Sequence, residues 1–101
     1  MEQYDVKIFP AAKRDLIEVV DYLNTLSPDA AIRYYDLIIA EAATLTTMPA
    51  RYPLAKDAKL RLRGYRLLPV KNYIIFYRIK GKVVEIRRIL YAKRHYENML
   101  F

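Results

Sequence analysis

The chain has no cysteine, which removes disulfides, thiolate metal sites and cysteine nucleophiles together. That absence fits a reducing compartment, so a cytoplasmic location is expected. Gly64 and Gly81 are its only glycines, so no glycine-rich phosphate loop can be built. His95 is the single histidine, which excludes a histidine metal cluster, and no metal or cofactor is expected. Ser27 is the only serine and already reads as a helix cap, which argues against a hydrolytic triad. The opening MEQYDVKIFP has neither a basic nor an apolar signal region, and no secretory leader is expected. No apolar run approaches the length that spans a bilayer, so no membrane partner is expected.

What is present is a folding composition with an uneven charge. The 101 residues are 54% hydrophobic, enough for one modest core, so residues 1–101 read as a single domain. From Met1 to Pro49 there are 8 acidic and 4 basic residues, a net of −4. From Ala50 to Phe101 there are 3 acidic and 14 basic residues, a net of +11. The basic half is interleaved with tyrosines. Such a surface suits a polyanion, meaning nucleic acid or an acidic protein segment.

Hydrophobic periodicity lays out the elements. Tyr4 to Phe9 alternates as a short strand, and Pro10 closes it at the first turn of a helix. From Ala11 to Leu26, Ala12, Leu16, Val19, Val20 and Leu23 form one apolar stripe, with Lys13, Arg14, Asp15, Glu18 and Asp21 on the wet side. Ser27-Pro28-Asp29 starts a second helix that runs to about Met48, where Pro49 stops it. The short connection makes the pair an antiparallel hairpin. Ala50 to Gly64 reads as a basic linker. Strands follow at Tyr65 to Val70, Tyr73 to Ile79 and Lys82 to Leu90, separated by tight turns at Lys71-Asn72 and Lys80-Gly81. Tyr91 to Phe101 is a short tail or helix. The order β-α-α-β-β-β predicts an α+β fold, with the helix hairpin on one face of a small, mainly antiparallel sheet.

The candidate site is therefore built from arginine, lysine and tyrosine. The only carboxylates in the basic half are Asp57, Glu85 and Glu97, which gives little support for a two-carboxylate acid/base site. If the strands pair as a meander, Arg66 and one of Arg87 or Arg88 approach each other on the face the helices leave open. Arginines there can bind phosphate in bidentate fashion, and His95 or Tyr96 after the last strand could move a proton. Tyr73, Phe76 and Tyr77 lie in an apolar run and read as core. Tyr22, Tyr34 and Tyr35 read as helix packing residues. Tyr52, Tyr65, Tyr91 and Tyr96 flank basic residues, where they could stack on bases.

The stretch from Arg63 (RGYRLLPVKNYIIFYRI) and the stretch from Val83 (VVEIRRILYAKRHYE) together resemble the C-terminal half of RelE/ParE superfamily toxins. The opening strand, Ala12-Lys-Arg-Asp-Leu and the hairpin ending near Leu45 to Pro49 resemble the N-terminal half. The resemblance implies the toxin of a type II toxin–antitoxin module, held inactive by a cognate antitoxin that the charge argument expects to be acidic. RelE-like members cut mRNA on the ribosome; ParE-like members poison DNA gyrase. In the RelE-like scheme Arg66, Arg88 and Arg94 would clamp the scissile phosphate, with Lys59 or Tyr96 assisting proton transfer. Lys59, Arg61, Arg63, Arg87, Lys93 and His95 would contact nucleic acid or the protein target. The central-strand arginine of the RelE pattern falls on Ile74, and its late tyrosine falls near Leu100. The resemblance therefore leans to the gyrase-poisoning members, with the endoribonuclease, or a degenerate toxin that keeps only antitoxin binding, as alternatives.

Overall fold

Residues 2–93 are described by a computed structural model. β1 (Asp5–Ile8) leads into α1 (Pro10–Leu26) and α2 (Pro28–Ala43). Two short 3-10 turns, Thr44–Thr46 and Pro49–Arg51, and a five-residue helix α3 (Ala58–Leu62) follow. The chain then forms β2 (Arg66–Val70), β3 (Tyr73–Lys80) and β4 (Val83–Tyr91). The strands lie in the order β1-β4-β3-β2. β1 runs parallel to β4, with Val6 opposite Val84 and Ile8 opposite Ile86, and the other pairs are antiparallel. The parallel pair needs a crossover, which the helix hairpin supplies. This is the expected α+β arrangement.

Ser27 makes the hairpin. Its N–H donates to Leu23 O (2.8 Å), closing α1, and its Oγ accepts from the Ala30 N–H (3.3 Å), opening α2. Pro10 and Pro28 occupy first-turn positions, where a missing N–H costs nothing. One face of the hairpin then buries Ala12, Leu16, Val19, Ile38 and Ala42, with Leu45 of the turn that follows, against the sheet, where Ile75, Tyr77, Val84 and Ile86 are fully enclosed. At ~25 cal/mol per Å² of apolar surface, each buried Val, Leu or Ile among them contributes roughly 1.5–3 kcal/mol.

Several expectations need correction. α2 ends at Ala43, not near Met48, and Met48 adopts a left-handed conformation (φ 46°) that swings the chain into Pro49. The basic linker is not featureless, because Asp57 caps α3 by accepting the Leu60 N–H (3.0 Å). Leu60 and Ala55 pack with Tyr65, Phe76 and Leu90 in a second core on the opposite face of the sheet. Tyr65 is thus a core residue (1% exposed) rather than a stacking platform. Tyr22 and Tyr35 lie 61% and 45% exposed, so of the three helix tyrosines only Tyr34 packs inward, edge-on to Tyr73 at 5.9 Å. Asp15, assigned to the wet face, is buried.

Candidate functional site

The arginines of β4 are set by a bulge. Tyr77 pairs with Ile86 and Phe76 with Arg88, which leaves Arg87 as the extra residue. β1 covers β4 only as far as Ile86, so beyond it the strand edge is open to α1. Asp15 fills that gap. Its Oδ2 accepts from Arg88 Nε (2.7 Å) and from the Ile89 N–H (2.9 Å), and its Oδ1 accepts from Arg88 Nη2 (3.0 Å). One carboxylate thereby satisfies an orphan edge amide and holds the guanidinium in a two-point grip. The hydrogen bonds to Asp15 push Arg88 above the ordinary arginine range, against the opposing pull of burial.

Arg66 goes elsewhere. It sits opposite Tyr77 in the β2–β3 ladder, on the side of the sheet that carries the helix hairpin. Its Nη1 donates to Tyr52 O (2.6 Å) and Ala50 O (3.2 Å), fastening the segment after α2 to the sheet edge. Tyr77 donates its hydroxyl to Pro49 O in the same region. Burial pushes the Tyr77 hydroxyl up to about 12, with Arg66 and Arg51 pulling the other way. Arg66 and Arg88 therefore do not meet on a shared open face. Each binds a different part of the hairpin and its exit.

Arg87 lies over the Phe9 ring (4.8 Å to its centroid) and donates to Glu85 at 3.2 Å. Among the described residues, α3 and the turn after it bring a cluster of exposed cations to the face opposite the hairpin. Lys59, Arg61 and Arg63 are all exposed there, with Arg61 Nη1 donating to Lys56 O (2.9 Å). Gly64 ends this turn at φ 83°, a conformation glycine takes without strain. Beneath these cations the sheet is apolar, with Leu67, Ile74, Phe76 and Leu90 under Leu60. Lys93 is exposed beyond β4. Arg94, His95 and Tyr96 lie outside the described residues.

The sequence reading missed Asp15 and Arg78. Arg78 stacks on Tyr65 (5.5 Å to the ring centroid), and its buried Nε has no hydrogen-bond partner among the described residues. A lone cation in the apolar run from Tyr73 to Ile79 was its signal. Asp15 lies one residue before Leu16 on the flank of the apolar stripe, and that flank was the only hint. Among the described residues no group of His, Asp or Glu could hold a metal ion, and no helix is long and apolar enough to cross a membrane.

The family model for the ParE toxin of type II toxin–antitoxin systems (parDE) matches residues 6–96. The chain belongs to the ParE toxin family. The match runs from the second residue of β1 through β4 and takes in both long helices of this toxin. A solved structure described as the chromosomal ParDE toxin–antitoxin system from P. aeruginosa superposes with a TM-score of 0.78 at 21% identity, covering 90% of this chain and 98% of that one. The RelBE2 toxin–antitoxin complex from Mycobacterium tuberculosis superposes at 0.58 with 24% identity, covering 88% and 98%. At these identities the likeness is one of fold. No curated protein sequence matches the ParE-family chain.

Proposed function

We propose that this ParE-family toxin arrests growth by binding and poisoning DNA gyrase in the cytoplasm, without chemistry of its own, and that an acidic cognate antitoxin neutralises it. The observation that carries the reading is the commitment of Arg66 and Arg88. A phosphate clamp needs unengaged guanidinium groups facing one cleft. Here Arg88 is gripped by Asp15 and Arg66 is bonded to main-chain oxygens of Ala50 and Tyr52. The sheet face opposite the hairpin holds an apolar cluster where such a cleft would open. The exposed Lys59, Arg61 and Arg63 remain available to a protein or nucleic-acid surface.

Those same three cations favour the second reading, a metal-independent, ribosome-dependent mRNA endoribonuclease. In that scheme they would hold the message, and Lys59, Arg94 or Tyr96 would act on the 2′-hydroxyl. Charge favours an acidic antitoxin. An acidic, partly disordered segment gains affinity by wrapping a half-chain of net +11, and ordering on binding is the cost it meets. Purified toxin added to a gyrase supercoiling reaction, and in parallel to ribosomes translating end-labelled mRNA, tests the proposal. Accumulated cleaved DNA with intact mRNA is expected. Codon-spaced mRNA ends that vanish in Arg94→Ala would establish the nuclease instead. Inactivity in both assays would leave a degenerate toxin.

A further inference from the structure

One flank of the helix hairpin, beside β1, carries an apolar surface that the core uses only in part. Ile17 of α1 is 59% exposed, Ile32 of α2 is 61% and Tyr35 is 45%. Ile32, Tyr35 and Ile39 fall at i, i+3 and i+7, so they form one stripe of α2. Where the two helices meet the end of β1 runs a crease of about 420 Å³, with Ile8 and Leu16 at its floor and Lys13, Ile17, Asp21 and Tyr35 along its rim. Its wall is almost wholly apolar, and its charges are one of each sign. A groove of this kind exposed to water marks a contact surface.

The charges say what contacts it. Lys13, Ile17 and Asp21 follow one another at four-residue spacing along one line of α1, with the isoleucine midway. Neither Lys13 nor Asp21 has an ion-pair partner among the described residues. A two-fold axis through Ile17, perpendicular to α1, lays a second α1 antiparallel on the first. It sets Ile17 against Ile17 of the second copy, and puts each Lys13 opposite the other copy's Asp21. The line cation–apolar–anion is complementary to itself in this one sense, which is what an isologous contact requires. A strongly acidic partner finds no such match, since the first half of the chain is itself net −4.

We infer that the crease on the β1 flank of the α1–α2 hairpin is a self-association surface that joins two copies of this chain antiparallel across α1. Two helices side by side, each ~25 Å long and ~10 Å wide, offer roughly 500 Å² per copy. The total of ~1,000 Å² lies at the lower edge of specific interfaces, so the dimer is weak and reversible. The crease opens at the β1 edge of the hairpin layer, where Ile8 lines it, while α3 packs on the far face of the sheet. Pairing therefore leaves α3 and its basic residues accessible on both copies and presents them in duplicate to a target.

Sedimentation equilibrium of the full chain over a broad concentration range tests this. The average mass should climb from that of the monomer toward twice that value as concentration rises. Lys13→Asp and Asp21→Lys should each weaken association about tenfold, since two attractive pairs become repulsive in each homodimer. An equimolar mixture of these two variants, and the double variant Lys13→Asp/Asp21→Lys alone, should associate as the unmodified chain does. All changed positions are exposed, and circular dichroism on each variant reports that the fold is kept. A monomer throughout the range would overturn the inference, as would a dimer that neither reversal weakens or a mixture that fails to associate. An antitoxin whose binding is lost in each single variant, while neither variant changes self-association, would assign the crease to that partner instead.

Discussion

Asp15 and Arg88 stand 73 positions apart in sequence and meet in a two-point ion pair, with the same carboxylate also accepting the Ile89 N–H. The contact joins α1 to the part of β4 that β1 leaves uncovered. Removing the carboxylate strands a half-buried guanidinium and a buried amide at once. Asp15→Ala should therefore destabilise by about 3 kcal/mol, measured by urea denaturation. Asp15→Asn, which keeps an acceptor for Ile89, should cost less. A double-mutant cycle with Arg88→Met should give clear coupling, because the two side chains act as one unit.

Tyr77 provides a pH signature. Its folded-state value is raised to about 12 from the ordinary 10, mainly by burial. The unfolded chain loses the phenol proton first, so the contribution is complete below pH 10 and fades as pH rises through 12. The size is roughly 2–3 kcal/mol. Thermal unfolding followed from pH 9 to 12 should show a fall in stability, with tyrosinate absorbance appearing as the protein unfolds. Tyr77→Phe should flatten this part of the profile while losing the hydrogen bond to Pro49.

Asp57 fixes α3 by capping it. Asp57→Ala should cost about 1 kcal/mol of global stability. Because so short a helix has little strength of its own, the larger effect should be local. Amide exchange at Leu60 and Arg61 should speed up well beyond that of β3, and the basic surface should lose definition.

Lys59→Glu/Arg61→Glu/Arg63→Glu should leave the fold intact, since all three residues are exposed. Affinity for the antitoxin should fall by at least tenfold, and the remaining binding should depend less on salt, as measured by calorimetry at two ionic strengths.

The sequence carried the fold because its signals were local. Ser27-Pro28 at the helix junction, the stripe from Ala12 to Leu23 and the turns at Lys71-Asn72 and Gly81 each state their structure within a few residues. Asp15 was illegible for the opposite reason. Its burial depends on β4 having an uncovered edge, which follows from the length of β1 and the parallel pairing. Strand alternation alone places Arg66 and one of Arg87 or Arg88 on one open face, but Arg66 shares the side of Tyr77, and Arg88, set opposite Phe76 by the bulge, is drawn to Asp15 at the uncovered strand edge. The helix α3 was hidden by a charge-rich, short segment whose single apolar anchor, Leu60, has no periodic partner.

A gyrase reaction with supercoiled plasmid, titrated with toxin and resolved by gel, bears most directly on action by binding alone. The account predicts that linear DNA accumulates with toxin dose, that Lys59→Glu/Arg61→Glu/Arg63→Glu suppresses it, and that translating mRNA stays whole at the same doses. Plasmid that is processed normally while ribosome-bound message is cut would contradict it.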